Sequence, residues 1–315
     1  MDQESFPPLF FNSEKLDTSS NAFAKLRSSR DALDDRDELS RRMDKDGYLY
    51  LPGLLNPDDV MTARKEILKT MDQLGLLSSK DPLIEAVANE KAPAFNALDI
   101  AQNNAALDKI LYSGPMMDFY RNFLGGPVRN FNYTWLRANL AGKKNATSPH
   151  CDIVFMGRGT KKLYTSWTPL GDVPMTSGGL MILENSHLLE KIKSTYGQMD
   201  VDAYCTNNEE AKLLQSGEED LNKLWPARIN GGMYADEAIS LRENLKRRWL
   251  SADYQIGDIL VFSMFTMHAS MDNQTNCFRL SSDSRYQLAS EPIDERWVGK
   301  NPVGHGLKGK KGMIC

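Results

Sequence analysis

Two side chains that could bind a metal ion stand two residues apart in the segment SPHCDIVF, residues 148 to 155. In an extended strand, residues i and i+2 point to the same face, so the imidazole of His150 and the carboxylate of Asp152 would project side by side. Imidazole and carboxylate groups are common ligands of catalytic metal ions. The pair supplies only half of a metal site, and short motifs of this kind also occur by chance. A further ligand must come from elsewhere in the chain.

The search for that ligand is short because the chain contains four histidines. His187 ends the apolar run GGLMILENSH, His268 follows the apolar run GDILVFSM, and His305 lies between glycines near the C-terminus. Each could instead be a hydrogen-bonded structural residue. Two histidines and one carboxylate would leave about three coordination positions open, as in non-haem iron(II) oxygenases, although catalytic zinc accepts the same ligand types.

An arginine that could bind a dicarboxylate cosubstrate favours the iron alternative. Arg279 follows His268 by eleven residues, in HASMDNQTNCFR, and is expected on the next strand. A guanidinium group can bind a carboxylate through two parallel hydrogen bonds. Ser270 lies two residues after His268 and faces the same way if the strand continues, so its hydroxyl could donate to the same carboxylate.

A framework of short strands must position these residues, and the second half of the chain provides one. From about residue 128 onward, β-rich segments alternate with turns; they are VRNFNYTWLRANL, HCDIVF, LYTSWTPL, GLMILENSH, RRWLSADY, DILVFSM and CFRLSSDSRYQL. Many short strands at this spacing indicate an all-β sandwich or barrel. Helices are expected earlier, in the charged segment after residue 30 and again after Asn56-Pro57, a pair typical of a helix start.

Four segments, in this order, resemble the phytanoyl-CoA dioxygenase family of Fe(II)- and 2-oxoglutarate-dependent oxygenases. They are SPHCD, LYTSWTPLGDVPMTSGGLMILENSH, GDILVFSMFTMHAS and NCFRLSSDSRYQ, and the resemblance covers roughly residues 40 to 290. It implies a mainly β fold with flanking helices, the double-stranded β-helix, which is a cupin-like jelly roll of two sheets.

The same resemblance implies a set of site residues. Fe(II) would be bound by His150, Asp152 and His268, and the distal carboxylate of 2-oxoglutarate by Arg279 and Ser270. Trp167 matches a tryptophan that lies beside the cosubstrate in the family, although it could equally be a buried aromatic of the core. Arg137 falls where family members often carry a basic residue and is expected to help bind cosubstrate or substrate. His187 matches a structural turn.

The expected reaction also follows from the resemblance. The chain would oxidise, by default hydroxylate, a C–H bond of a small organic molecule, using 2-oxoglutarate and O2 and releasing succinate and CO2. Two alternatives stay open: a jelly roll that binds zinc or carries out redox-neutral chemistry, and a non-catalytic binding or structural protein. Arg279 would be an unneeded cation in the first, and the intact ligand set argues against both.

We expect three parts along the chain: an N-terminal arm over residues 1–30, a single oxygenase domain over 31–295, and an irregular tail over 296–315. A charged and helical insertion, residues 188–247, interrupts the strands. Long connections with structure of their own are often functional, so the insertion is expected to cover the metal site and select the substrate. The alternative is a helical pack that only covers a sheet, in which case the segment over residues 83–100 would bind the substrate. The candidate lining residues of the insertion are Tyr196, Tyr204, Trp225, Arg228 and Tyr234.

Charge and hydropathy disfavour several other classes of protein. The 315 residues carry a formal net charge of −4, so no basic field attracts nucleic acid or an anionic membrane surface. No apolar run approaches the ~20 residues of a membrane helix, and neither a secretion signal nor a peroxisomal Ser-Lys-Leu end is present. The four cysteines form no C-x-x-C pair, which argues against a disulfide framework. These features predict a cytoplasmic protein that acts on a small molecule.

Overall fold

Two β-sheets pack face to face in the structure, a computed structural model that describes residues 5–101, 104–140, 146–207, 211–212 and 230–314. The strands, numbered in chain order, are β1 (Phe10–Phe11), β2 (Glu14–Lys15), β3 (Phe23–Lys25), β4 (Tyr48–Leu51), β5 (Val128–Asn130), β6 (Trp135–Asn139), β7 (Tyr164–Pro169), β8 (Leu180–Leu183), β9 (Ala203–Cys205), β10 (Trp249–Ser251), β11 (Ile259–Ser263), β12 (His268–Ser270), β13 (Arg279–Leu288) and β14 (Lys311–Met313).

The larger sheet has the strand order β4-β11-β7-β13-β5, and β6 also pairs with β13. The smaller sheet has the order β12-β8-β10-β3. The neighbours within the larger sheet are antiparallel, and most of them are distant in the sequence. This two-sheet arrangement agrees with the jelly roll that the sequence predicted.

Side-chain alternation along the central strands creates the two layers. In β11, Leu260 and Phe262 face the smaller sheet, while Ile259 and Val261 face the opposite side, where helices cover the sheet. In β13 the residues directed between the sheets begin with Arg279 and are polar or charged at every second position as far as residue 285. The interior between the sheets is therefore apolar at one end and charged at the other.

The first five helices of the described chain cover the outer face of the larger sheet, whereas the last three pack in a separate core with residues of the smaller sheet. The helices are α1 (Arg36–Asp46), α2 (Pro57–Gln73), α3 (Ala97–Ala101), α4 (Ala105–Tyr112), α5 (Gly114–Leu124), α6 (Ile153–Met156), α7 (Glu190–Ser194) and α8 (Ala238–Leu245). The side chain of Asn56 accepts a hydrogen bond from the backbone N–H of Asp58, and Pro57 is the first residue of α2, as the sequence indicated. None of the described helices is both long and apolar enough to cross a membrane.

The segment HCDIVF is not a strand, and this corrects the sequence-based prediction. His150 forms an isolated antiparallel bridge with His268, but Asp152 has helical dihedral angles, φ −63° and ψ −21°, and precedes α6. A short apolar run fits a buried helix as well as a strand, because periodicity cannot be read over four residues. His150 and Asp152 therefore come together through a turn and not through strand alternation.

Both ends of the described chain join sheets. In the N-terminal region, β3 pairs in parallel with β10, and close to the C-terminus β14 pairs in parallel with β9. Cys205, in β9, is disulfide-bonded, which the cysteine spacing did not predict, whereas Cys151 and Cys277 are free thiols.

A buried ion network holds the C-terminal segment against the chain near β9. The carboxylate of Asp202 is fully buried and accepts hydrogen bonds from Lys310 Nζ at 2.7 Å and from Arg296. His305 Nδ1 lies 2.8 Å from the same carboxylate. His305 therefore serves this network, away from the triad of metal-binding groups.

Candidate active site

Three buried side chains, His150, Asp152 and His268, form a group that can hold a metal ion. One potential ligand atom from each lies within 4.8 Å of the other two. The backbones of His150 and His268 exchange two hydrogen bonds, of 3.1 and 3.0 Å, which fixes the two rings side by side. Because β12 belongs to the smaller sheet and His150 is bridged to it, both histidines enter from that sheet.

Each histidine presents Nε2 to the centre of this group. Nδ1 of His150 lies 2.8 Å from the carbonyl oxygen of Ser148, and Nδ1 of His268 lies 3.0 Å from that of Thr266. Each Nδ1 therefore carries the proton and donates it to a carbonyl, so each Nε2 keeps a lone pair for a metal. Burial, with a smaller effect of His268, lowers the pKa of His150 to about 3, and burial also lowers the pKa of His268. Both rings are neutral near pH 7, as metal ligands must be.

The two oxygens of Asp152 have different surroundings. Oδ2 accepts a hydrogen bond of 3.1 Å from Arg285 Nη2 and another from the hydroxyl of Thr165, whereas Oδ1 lies 3.9 Å from His268 Nε2. Burial alone would raise the pKa of Asp152, but Arg285, the two histidines and Thr165 together hold it well below its usual range. The carboxylate is ionised and offers Oδ1 to the same centre as the histidines.

A cavity of about 420 Å³ opens beside the three side chains, a size typical of small-molecule sites. Its lining residues are Ala97, Leu136, Arg137, Ala138, Asn139, Leu140, Thr147, His150, Asp152, Trp167, Leu180, Phe262, His268, Ser270, Arg279, Asp283 and Arg285. One wall comes from β6 and β13 of the larger sheet, and the facing wall comes from β8 and β12. The cavity thus lies between the sheets.

Arg279 has the features of a site for an absent carboxylate. It is buried, and its Nη1 donates a 2.6 Å hydrogen bond to Ser281, but its buried Nε has no hydrogen-bond partner within the described chain. Burial lowers the pKa of Arg279 to about 10, so the guanidinium is still charged near pH 7. An unsatisfied buried donor on a charged group is costly unless a ligand completes it.

The other residues predicted to contact cosubstrate also line this cavity. Ser270 Oγ accepts a 2.8 Å hydrogen bond from the backbone N–H of Thr147 and retains its own hydrogen to donate. The ring of Trp167 lies 5.9 Å from the guanidinium of Arg279 and 4.7 Å from the ring of Tyr254, so it is both a core residue and a wall residue. Arg137 Nε donates a 2.9 Å hydrogen bond to Asp283.

Residues of the insertion contact the segment that carries His150, but those that are described do not line the cavity. The backbone N–H of Tyr234 donates to the carbonyl of Pro149 at 2.8 Å, and its ring lies 5.1 Å from that of Tyr196. The hydroxyl of Tyr196 is buried and donates to the carbonyl of Gly232. Trp225 and Arg228 lie outside the described residues.

His187 also lies outside the cavity. Its Nε2 is 2.9 Å from the carbonyl oxygen of Asp44, at the end of α1, and the side chain is buried. This contact agrees with the structural role that was predicted for His187.

Three residues of the site were not identified from the sequence: Thr165, Asp283 and Arg285. For Asp283 and Arg285 the signal was present in RLSSDSR, where a charged or hydroxyl side chain recurs at every second position from 279 to 285. Such alternation in a strand places all of these groups on one face. Arg285 is 3% exposed, its guanidinium stacks 4.1 Å above the ring of Trp135, and Nε and Nη1 have no hydrogen bond among the described atoms.

A sequence model described as Phytanoyl-CoA dioxygenase (PhyH) matches residues 43–281 of the chain. The chain is also similar to a 1-deoxypentalenic acid 11-beta-hydroxylase from Streptomyces exfoliatus, with 26% identity over 268 residues, or 82% of this chain and 83% of the relative. The family match over residues 43–281 contains His150, Asp152, His268 and Arg279.

Solved structures share the architecture at low sequence identity. EctD from S. alaskensis, crystallised with 2-oxoglutarate and 5-hydroxyectoine, gives a TM-score of 0.57 at 15% identity, covering 92% of this chain and 91% of its own. The epimerase SnoN from nogalamycin biosynthesis, in complex with Fe3+, alpha ketoglutarate and nogalamycin RO, gives a TM-score of 0.52 at 18% identity, covering 88% of this chain and 94% of its own. At these identities the likeness establishes the fold, and the predicted jelly roll is confirmed.

Proposed function

Since the chain belongs to the phytanoyl-CoA dioxygenase family, we propose that its cavity hydroxylates a C–H bond of a small organic molecule. The protein is an Fe(II)- and 2-oxoglutarate-dependent dioxygenase, which couples this oxidation to the release of succinate and CO2. The observation that carries the proposal is the buried triad with two free Nε2 atoms and one free carboxylate oxygen beside an unsatisfied buried arginine. That combination suits a metal ion next to a dicarboxylate.

We assign the metal site to His150, Asp152 and His268. Both imidazoles are neutral and oriented by their Nδ1 contacts, and Asp152 supplies one negative charge. Three protein ligands leave about three positions for cosubstrate and O2, which is the open arrangement of non-haem iron oxygenases. Fe(II), when bound, supplies the redox chemistry that activates O2.

The cosubstrate site is assigned to Arg279, Ser270 and Trp167. Arg279 neutralises the distal carboxylate of 2-oxoglutarate and gives its buried Nε the partner that the described residues do not provide. Ser270 donates its remaining hydroxyl hydrogen to the same carboxylate. Trp167 packs beside Arg279 and excludes water from the pair, which strengthens the electrostatic attraction.

The name of the relative supports the type of reaction. The protein from Streptomyces exfoliatus is named as a hydroxylase of 1-deoxypentalenic acid, a small organic acid. By analogy, this chain hydroxylates a molecule of similar size, which the cavity of about 420 Å³ can accommodate.

Selection of the substrate by the insertion, through Tyr234 and its neighbours, stays a prediction. The support within the described chain is the contact of Tyr234 with Pro149, next to His150. The segment over residues 83–100 is the other candidate, because Ala97 lines the cavity.

The test is succinate formation by the purified protein supplied with Fe(II), ascorbate, 2-oxoglutarate and O2. We expect succinate from the wild type, and none above background from His150→Ala, Asp152→Ala or His268→Ala, each of which should keep its fold by circular dichroism. His305→Gln, which changes a histidine outside the cavity, serves as the control. Wild-type activity in any folded triad variant would contradict the assignment.

A further inference from the structure

The turn that carries His150 and Asp152 is held from two sides. On one side are His268 and the residues that lead into it: the backbone of His150 bonds to that of His268, and the backbone N–H of Ile153 donates to the carbonyl of Met264 at 3.1 Å. Asp152 itself lies outside the strands of the described chain and has helical dihedral angles. The direction of its carboxylate therefore depends on how the neighbouring residues are held.

The insertion holds the other side of this turn by backbone hydrogen bonds before and after the two ligands. Before them, the N–H of Tyr234 donates to the carbonyl of Pro149 at 2.8 Å. After them, the N–H of Val201 donates to the carbonyl of Val154 at 3.0 Å. Both donors belong to the insertion, residues 188–247. The insertion therefore contacts the ligand segment at both ends, although its described residues do not line the cavity.

The hydroxyl of Tyr196 joins the insertion to the residue between the two ligands. It accepts a 3.2 Å hydrogen bond from the backbone N–H of Cys151 and donates at 2.5 Å to the carbonyl of Gly232. The side chain of Tyr196 is buried, and burial raises its pKa, so the phenol keeps the proton that it donates. Loss of this one hydroxyl would remove a hydrogen-bond partner from two buried backbone groups, which is costly.

Gly232 also fixes the ring that lies against His150. A Cβ atom built on Gly232 would lie 2.4 Å from Cζ of Phe155, so only glycine lets the two residues approach this closely. The φ angle of Gly232 is +88°, which also favours glycine. The ring of Phe155 meets that of His150 edge to face, with 5.5 Å between the ring centroids. The position of residues 231–234 therefore affects the position of a metal ligand.

We propose that Tyr196 is a positioning residue of the metal site, and that metal binding is coupled to the seating of the insertion against residues 149–155. This rests on the proposed function, because it takes His150 and Asp152 as metal ligands. Tyr196 acts through the backbone of Cys151, which lies between the two ligands. Such coupling is reciprocal: contacts that favour the metal-binding arrangement are stabilised by bound metal to the same extent. The insertion thus helps to assemble the metal site, a role separate from the selection of substrate.

The reciprocal effect can be measured on the wild-type full chain without any substitution. Hydrogen exchange is followed by mass spectrometry for the protein alone and with saturating Co(II), in the absence of 2-oxoglutarate. We expect the peptides that contain the amides of Val201 and Tyr234 to exchange about 5-fold more slowly, or slower still, when Co(II) is bound. Helix α2 packs on the far side of the larger sheet and is the internal reference, which should change less.

Tyr196→Phe then tests the residue, because it removes the shared hydroxyl and keeps the ring. It should weaken Co(II) binding by about 10-fold, as does the loss of other groups that orient metal ligands, and it should reduce the metal-dependent slowing at Tyr234. Tyr120→Phe is the matched control: it also removes a buried hydroxyl, 2.8 Å from Ser166 Oγ, on the helical side of the larger sheet. It should leave the Co(II) affinity and the metal-dependent slowing unchanged.

Gly232→Ala tests the same coupling without removing a hydroxyl. The added methyl group displaces the ring of Phe155, so the Co(II) affinity should fall, and the absorption bands of bound Co(II), which report the geometry of its ligands, should shift. Gly53→Ala is the matched control. It imposes a similar backbone strain, at φ +61°, where the added carbon would meet no atom of the described chain within 4 Å. It should change neither the affinity nor the bands.

Two results would overturn the proposal: exchange at Val201 and Tyr234 that does not respond to bound Co(II) in the wild type, or a folded Tyr196→Phe that binds Co(II) as tightly as the wild type. If Tyr196→Phe does not fold, the wild-type exchange and Gly232→Ala decide the question. A wild type that binds no metal at all would contradict the proposed function itself, so the two failures are distinguishable.

Discussion

The two carboxylate oxygens of Asp152 have different roles in the proposed metal site. Arg285 and Thr165 both donate to Oδ2, which leaves Oδ1 directed toward the histidines. A carboxylate held in this way would offer one oxygen, Oδ1, to a metal ion. Residues that orient a metal ligand by hydrogen bonds affect the metal affinity of the site, although they do not contact the metal themselves.

Arg285→Met should weaken Fe(II) or Co(II) binding by about 10- to 100-fold, because Asp152 loses its charged donor. Thr165→Val should weaken it less, since it removes only a hydroxyl donor. The measurement is anaerobic metal titration, with thermal unfolding recorded in parallel to show that the variants fold. Arg285→Lys, which keeps a cation, should recover part of the affinity. Unaltered metal affinity in both Arg285→Met and Thr165→Val would show that Asp152 needs neither partner.

Arg279→Ala should raise the concentration of 2-oxoglutarate needed for half-maximal succinate formation by roughly 30-fold or more. Truncating one partner of a desolvated charge pair costs about 2 to 5 kcal/mol. Arg279→Lys should need a 2-oxoglutarate concentration between those of Arg279→Ala and the wild type, because an ammonium group retains the charge but cannot form two parallel hydrogen bonds. A variant that saturates at the wild-type concentration of 2-oxoglutarate would place the carboxylate elsewhere.

At the scale of elements, the strands of the larger sheet were predictable because each alternates between two buried faces. LYTSWTPL, DILVFSM and CFRLSSDSRYQL became β7, β11 and β13. The strand prediction for HCDIVF was wrong because Ile153, Val154 and Phe155 belong, with Met156, to the short helix α6. The partners of Asp152 were missed for a different reason: Thr165 and Arg285 are distant in sequence, and only the register of β7 with β13 places them together.

The C-terminal segment depends on one carboxylate. Asp202→Asn would leave Arg296, Lys310 and His305 without their common counter-charge, and breaking a buried ion pair costs about 3 to 5 kcal/mol. We expect faster hydrogen exchange in β9 and β14 and a lower free energy of unfolding. Asp34→Asn, at an exposed aspartate, is the control. Wild-type protection of both strands in Asp202→Asn would mean that other contacts hold the segment.

Ionisation of the Asp202 carboxylate should make the stability of the fold depend on pH. Burial would raise the pKa of Asp202, but its hydrogen bond to His305 and the contact with Lys310 lower it to about 2. Since the folded-state pKa is below the unfolded value of about 3.9, the stabilisation is present above that value and is lost as the pH falls toward 2. Urea unfolding across this range should therefore show that the free energy of unfolding falls more with decreasing pH in the wild type than in Asp202→Asn. An equal decrease in both proteins would contradict the assignment.

At the scale of the whole molecule, the site exists only because two sheets face each other. His268 and Ser270 belong to the smaller sheet, whereas Arg279 and Trp167 belong to the larger one. The family resemblance of the sequence predicted these residues. It could not predict the cavity between them, because the cavity forms only when the two sheets pack against each other.

The most direct test of the central claim is the visible absorption of the protein mixed with Fe(II) and 2-oxoglutarate in the absence of O2. A metal-to-ligand charge-transfer band requires the metal and the chelating cosubstrate in one site. We predict a band for the wild type, no band for Asp152→Ala or His268→Ala, and a band for Arg279→Ala only at much higher 2-oxoglutarate. Bound iron without a band in the wild type, or an unchanged band in the folded triad variants, would contradict the account.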